Sequence, residues 1–182
     1  MIMKSWRDKM IYKDINLQQE VYRQDVYKLM DWLRDEEVSR YLNEEKGIIN
    51  SLDYLLRAST LPILTPYFNQ GGPFYIIEYK KDSVGYLKLV PKGKIVEIVI
   101  AIGNREKWGQ GIGTIALKKG ISEAFLSYKA NEIVAKIHHN NIRSKKIFRK
   151  AGFTIEDTLE VENLYSLTFD DYINGYSKER IS

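Results

Sequence analysis

Trp108-Gly109-Gln110-Gly111-Ile112-Gly113-Thr114 stands between an apolar run, Lys94 to Ile102, and an apolar-periodic segment that continues to about Tyr128. The run reads as a strand and the segment after it as a helix. Three glycines at alternate positions between them expose bare backbone N–H groups at the start of that helix. Such groups, with the positive end of the helix dipole behind them, suit an anion, most often a phosphate. The stretch is therefore expected to cradle a diphosphate.

The phosphate binders best known from sequence do not fit. A P-loop needs G-x-x-x-x-G-K-[ST], which does not occur. A dinucleotide fingerprint needs G-x-G-x-x-G directly after the strand, within a βαβ unit. Here six residues separate Ile102 from Gly109 and the glycines alternate. The strands upstream read as a meander.

Outward from the loop, Ile95 to Ile102 is apolar on both parities except at Glu97, as expected of a central strand covered on both faces. Phe74–Tyr79 and Val84–Val90 predict an antiparallel hairpin, with turns at 80–83 and 91–93. Met10–Leu17 reads as a first strand. Val26, Leu29, Met30 and Leu33 have the spacing of a buried helix stripe. Ser51 is a candidate cap for a short helix holding Leu52, Leu55 and Leu56. Three prolines and two glycines between Leu61 and Pro73 exclude regular structure there, and the apolar content of this loop suits a lid or a dimer contact. Trp32 and Tyr41 read as packing residues or as a substrate wall, with packing favoured.

Downstream, Leu117, Ile121, Ala124, Phe125 and Tyr128 share a helix face, and Gly120 within it implies a close neighbour. Glu132–Ile137 is a strand. A helix starting at Asn141 carries Ile147, Phe148 and Ala151 and stops at Gly152. Phe153–Leu159 and Leu164–Phe169 close the fold, and residues 170–182 form a polar tail expected to be loosely held. The class is mixed α/β in a single domain spanning 1–182, with the glycine loop after the central strand.

Composition bounds the function. The 182 residues are 44% hydrophobic and 29% charged, with net charge +4 and no cysteine. Disulfides, thiolate catalysis and a Cys-based zinc site are thereby excluded. No apolar run approaches the roughly 18 residues of a membrane span, and the charged start does not read as a signal peptide. A cytoplasmic address and no membrane partner are the default expectations. His138 and His139 are adjacent on a strand and point to opposite sides, so no joint metal site is expected. The basic cluster from Arg143 to Lys150 suits a small polyanion at least as well as a nucleic acid, and no nucleic-acid role is assigned.

Trp108-x-x-Gly111-x-Gly113, with Asn141-x-x-Ser144-x-x-x-Phe148-x-x-x-Gly152-Phe153 downstream, resembles the GNAT superfamily of acetyl-CoA-dependent N-acetyltransferases. The branch that acetylates ribosomal-protein N-termini is the most similar, since its loop commonly reads Trp-Gly-Lys-Gly. The resemblance is sharp from Glu97 to Phe153 and looser at "MDWLRDEEVSRYL" and "LYSLTFDDY". It implies a GNAT-like, mostly antiparallel sheet flanked by helices, with acetyl-CoA as co-substrate and an amine-bearing acceptor. Dimers are frequent in that branch, and a homodimer stays open.

The resemblance also implies site residues. Trp108, Gly109, Gln110, Gly111, Ile112, Gly113 and Thr114 would surround the pyrophosphate, with the amides of Gln110 to Thr114 as donors. The edge of the central strand at Ile100, Ala101 and Ile102 would lie along the pantetheine, with an N–H near Ile102 polarising the acyl carbonyl. Asn141 would bond the pantetheine arm, and Arg143 and Lys146 would reach the 3′-phosphate. Ser144 and Phe148 complete the second motif. The tyrosine that family members often carry at the Phe148 position is missing, which leaves the proton donor unassigned among Ser144, Tyr165 and water.

Glu97 is the candidate general base. A carboxylate in an apolar strand is costly unless paired or protonated, and burial raises its pKa toward the range useful for deprotonating an ammonium. It stands eleven residues before Trp108, the register of the glutamate in the histone-acetylating branch. The competing reading is an ion pair with a nearby lysine. The expected activity is transfer of acetyl to a primary amine by direct attack in a ternary complex. The acceptor is open among a protein N-terminus, an aminoglycoside and a polyamine. Asp35, Glu36, Glu37, Glu44 and Glu45 would border the cleft for a cationic acceptor, or simply face solvent. A non-catalytic acyl-CoA-binding or regulatory module on the same fold is the alternative.

Overall fold

In the computed structural model, which describes residues 12–44 and 47–181 and the last six of these by backbone alone, the apolar run Ile95–Ile102 is the central strand of a seven-stranded sheet. In chain order the strands are β1 (Ile15–Gln18), β2 (Phe74–Tyr79), β3 (Asp82–Lys92), β4 (Ile95–Ile102), β5 (Glu132–His138), β6 (Thr154–Thr158) and β7 (Glu162–Thr168). The helices are α1 (Arg23–Arg34), α2 (Glu36–Ser39), α3 (Ile48–Ala58), α4 (Thr65–Phe68), α5 (Ile112–Ser122), α6 (Ile142–Lys150) and α7 (Phe169–Ile181). The sheet order is β1-β2-β3-β4-β5-β7-β6. Every neighbouring pair is antiparallel except β4 and β5, which run parallel. A parallel pair needs a long crossover, and α5 supplies it. This is the mixed, mostly antiparallel sheet expected from the sequence.

Helices cover both faces because residues on a strand alternate between them. On one face Leu87, Val96 and Ile98 pack with Ile115, Ala116 and Leu117 of α5 and with Phe148 of α6. On the other, Phe74, Ile76, Tyr86 and Ala101 pack with Val26, Leu29, Trp32 and Leu33 of α1 and with Leu52 and Leu56 of α3. The periodic stripe of α1 is buried along its length. Asp25 anchors this helix: its carboxylate accepts from the Tyr22 N–H at 2.9 Å and from the Ser83 hydroxyl on β3 at 2.7 Å.

The fold departs from the sequence reading at several points. β1 begins at Ile15, because only Ile15 to Gln18 find partners on β2, and residues 12–14 are helical. Met10 and Ile11 lie outside the described residues. Ser51 does not cap α3. Gly47, in a left-handed conformation, precedes its first turn, and the Ser51 hydroxyl points back to the Gly47 carbonyl at 3.4 Å. The 61–73 segment contains the turn α4 and a 3₁₀ turn at Asn69–Gly71. Proline is compatible with a helix start, where its missing N–H would be unpaired anyway. Pro91 and Lys92 extend β3, paired with Val96 and Ile95.

β4 is not covered evenly. Val96 and Ile98 are buried, whereas Ile95 is exposed and Val99, Ile100 and Ile102 are half-buried. The implied neighbour of Gly120 exists: a Cβ there would come within 2.5 Å of Leu87 and 3.1 Å of Ile98. The chain beyond β7 continues as α7, with Tyr172 against Phe125 at 5.0 Å between ring centroids.

Candidate active site

The site begins where two strands part. β4 and β5 pair only at Ile95–Glu132, Val96–Ile133 and Glu97–Val134. β5 then pairs on its other side with β7 as far as His138, and β4 stays paired with β3 as far as Ile102. Among the described residues the β5-facing edge of β4 beyond Glu97 therefore has no strand partner. Ile100, Ala101 and Ile102 lie on this free edge.

The loop after β4 is held by its own side chains. Asn104 caps the 3₁₀ turn Arg105–Lys107 by accepting from the Glu106 N–H at 3.1 Å. Trp108 donates its indole N–H to the Ile102 carbonyl at 2.7 Å, tying the loop back to the end of β4. The Gln110 amide donates to the Glu106 carbonyl at 2.7 Å. Gly109 and Gly111 are left-handed, with φ of +74° and +85°, and a Cβ on either would meet nothing within 4 Å. The glycines serve backbone direction and open space, not close packing.

α5 starts behind Gly111, and Ile115 is the first residue whose N–H turns back, to the Gly111 carbonyl at 3.1 Å. Among the described residues no N–H from Gly109 to Thr114 donates to a backbone carbonyl outside the helix or to a side chain. Ile112 is buried, and Gly113 and Thr114 are half-buried. A row of unsatisfied donors at a helix start, reached across an open surface, is what a diphosphate requires. The residues present fit coenzyme A there.

α6 brings the second motif to the same place. Asn141 caps it, its side-chain oxygen accepting from the Ser144 N–H at 3.1 Å. The Arg143 guanidinium lies over the Trp108 ring at 4.0 Å, and that of Arg105 at 5.6 Å. Trp108 thus joins three elements: the end of β4, the glycine loop and the first turn of α6. Lys146 is exposed on α6. Phe148 is buried in the core, edge-on to Phe153 at 5.0 Å. In the same core cluster the Tyr165 hydroxyl is buried and has no hydrogen-bond partner among the described residues.

Glu97 lies at the last paired position of β4, where the strands begin to part. Its side chain is only 17% exposed and pairs with Lys92 Nζ at 2.9 Å. Of the acidic segment, Asp35 caps α2 and lies 3.4 Å from Arg105, Glu37 pairs with Arg40, and Glu44 pairs with Lys88 at 2.9 Å. Glu36 is exposed, and Glu45 lies outside the described residues. Trp32 is a packing residue, pressed so closely on Gly103 that a Cβ there would stand 2.1 Å from its ring. Tyr41 meets the His138 ring at 5.0 Å. His138 Nδ1 accepts from the Asn140 N–H, whereas His139 bonds the Leu159 carbonyl.

The face of the sheet opposite α5 carries a feature the sequence reading did not assemble. A cavity of about 530 Å³ lies between α1, α3, α4 and β2–β3, its lining including Leu33, Leu52, Leu55, Phe68 and Phe74, with Glu44 and Lys88 as its charged groups and Tyr86 beside them. One signal was available: Lys88 interrupts an apolar strand as conspicuously as Glu97 does. Among the described residues no helix is long and apolar enough to cross a membrane.

The comparisons agree with this geometry. Residues 19–154 match the family model described as an acetyltransferase (GNAT) domain. No curated protein matches the chain. Among solved structures, spermidine/spermine N-acetyltransferase SpeG from Vibrio cholerae superposes with a TM-score of 0.71 at 14% identity, over 90% of this chain and 99% of that one. The aminoglycoside acetyltransferase AAC(6')-Ib, in complex with coenzyme A, gives 0.69 at 15% identity over 89% and 98%. Campylobacter jejuni N-acetyltransferase PseH, in complex with acetyl coenzyme A, gives 0.63 at 16% over 85% and 99%. At such identities the structures show a shared fold, and the family match shows the rest: this chain belongs to the GNAT acetyltransferases, acyltransferases whose co-substrate is acetyl-CoA.

Proposed function

We infer that the protein transfers an acetyl group from acetyl-CoA to a primary amine, with both bound at once. The observation that carries this reading is the coincidence of two features. The strand ladder opens after Glu97 and Val134, and the unpartnered N–H groups of Gly109 to Thr114 stand beyond the end of the freed β4 edge. Acetyl-CoA would supply an acetyl group already activated as a thioester. The backbone from Gln110 to Thr114 would hold its diphosphate, Asn141 and Ser144 would face its arm from α6, and Arg143 and Lys146 would add positive charge near its nucleotide end. An N–H near Ile102 would polarise the carbonyl oxygen. With no cysteine in the chain, a cysteinyl acyl-enzyme is excluded and direct transfer is favoured.

Glu97 is the proposed base that takes the proton from the incoming ammonium, directly or through water. Its ion pair with Lys92 bears on this role. Lys92 Nζ donates to Glu97 Oε2 at 2.9 Å, so a proton from the amine would be received at Oε1 or in exchange for this contact. Finer assignment to the ribosomal-protein branch rests on the Trp108-Gly109-Gln110-Gly111 loop alone.

The test is thiol release from acetyl-CoA across a panel of amines, which the protein cannot contaminate because it has no thiol. Wild type is expected to release CoA with at least one primary amine. Glu97→Gln is expected to lower kcat about 100-fold near neutral pH, with less loss at high pH where the amine is already free. Release that is unchanged in the variant at every pH removes Glu97 from the mechanism. No release with any amine removes the function.

A further inference from the structure

We propose that the cavity against β2 and β3 is the acceptor pocket, and that it selects a small monoamine with an apolar aliphatic or aromatic body, not a polycation. The proposal rests on the acetyl-transfer reading and names the substrate class of that site.

Position is the first argument. Glu97, Val99 and Ala101 alternate onto one face of β4, and their neighbours on β3 include Lys88 opposite Val99 and Tyr86 opposite Ala101. Tyr86 and Lys88 line the cavity. The cavity therefore lies one strand away from the free edge of β4, on the face that also carries Glu97. The glycine loop leads into α5, which packs on the opposite face. The gap between β4 and β5 is where a donor held from one face meets an acceptor held on the other.

Chemistry is the second argument. The wall is mostly aliphatic and aromatic, with Ser51, Ser59 and Gln70 as neutral polar members, and Phe68, Phe74 and Tyr86 are in successive ring contact at 4.9 Å and 5.5 Å. A volume of about 530 Å³ is within the range of small-molecule pockets. The carboxylate that might attract a cation is already satisfied. Glu44 accepts from the Tyr86 hydroxyl at 2.8 Å and from Lys88 Nζ at 2.9 Å and 3.0 Å. Burial first, and the Glu44 charge second, hold the Tyr86 hydroxyl well above the ordinary tyrosine value, so it remains a donor. Asp35 and Glu37 are likewise engaged by arginines. A polyamine or an aminoglycoside would need several uncompensated carboxylates, whereas an apolar body needs only the wall.

The experiment compares kcat/KM for phenethylamine, hexylamine, spermidine and kanamycin in wild type, Ala58→Trp and Lys88→Met. Ala58 is an exposed residue of α3 at the cavity, so a tryptophan there narrows the pocket without disturbing the core. Phenethylamine or hexylamine is expected to exceed spermidine and kanamycin by about 30-fold or more. Ala58→Trp should lower that kcat/KM about tenfold, chiefly through KM, with the KM for acetyl-CoA unchanged. Lys88→Met, which leaves Glu44 uncompensated, should shift the spermidine-to-phenethylamine ratio about tenfold toward spermidine.

A wild-type preference for spermidine or kanamycin overturns the proposal while leaving acetyl transfer intact. So does an unchanged KM in Ala58→Trp or an unchanged ratio in Lys88→Met. If no amine is acetylated, calorimetric titration of phenethylamine in the presence of CoA decides. Binding that Ala58→Trp weakens supports the pocket and discards the transfer reading, and absent binding discards the pocket.

Discussion

The glycine loop and the cavity lie on opposite sides of the same free strand edge and are built by different means. The loop offers a ligand its backbone. Its donors are N–H groups left over at the start of α5, and its side chains mostly hold the loop itself, as Trp108 does on Ile102. The cavity offers side chains contributed by α1, α3, α4, β2 and β3, and its charged groups cancel one another. One side is suited to a ligand that does not vary, the other to a ligand that differs from one family member to the next.

This contrast predicts unequal sensitivity to substitution. The largest effect belongs to Gly111→Val. A β-branched residue at φ +85° costs on the order of 1–3 kcal/mol in backbone strain, and relieving that strain turns the N–H groups away from the ligand. Acetyl-CoA affinity should fall about 100-fold by calorimetry, an effect equal to roughly 2.7 kcal/mol, while the wall of the acceptor pocket is untouched. A variant that kept full affinity would show that the backbone is not the binder.

A smaller effect is expected for Trp108→Phe, which keeps a ring beneath Arg143 but removes the indole donor to the Ile102 carbonyl. One hydrogen bond is worth about 1 kcal/mol, so KM for acetyl-CoA should rise about fivefold, with kcat for a given amine nearly unchanged. A change confined to the amine KM would place Trp108 on the wrong side of the comparison. The smallest effect is expected for Tyr165→Phe. The hydroxyl is buried without a partner, and removing an unsatisfied group is neutral or stabilising, within about 1 kcal/mol by denaturant titration. A large fall in kcat at unchanged stability would instead identify the missing proton donor.

The same contrast explains what could be read from the sequence. Backbone-built features leave a trace in spacing: left-handed glycines beside a helix start, a β-branched run for β4, and an N-cap asparagine followed by Ser144. The sheet, α1, α5 and α6 were all legible for that reason. The pocket was not, because its residues come from Leu29 to Lys88 with no common period. Only the lysine in an apolar strand marked it. Glu97 is visible as an isolated carboxylate with a nearby lysine as its alternative partner, but which lysine is not, since Lys92 reads as part of a turn and is the end of β3, where it pairs with Glu97. The α3 start was misplaced for a related reason: a left-handed glycine, Gly47, ends the preceding loop, whereas a serine inside the helix looked like its cap.

The central claim is that backbone N–H groups of the glycine loop hold the co-substrate beside a free strand edge. Amide hydrogen exchange, measured residue by residue with and without acetyl-CoA, tests it most directly. New protection is predicted to concentrate at Gly109 to Thr114 and at Ile100 to Ile102, with little change at β2 or α3. Acetyl-CoA binding that leaves those amides as exchangeable as before would contradict it.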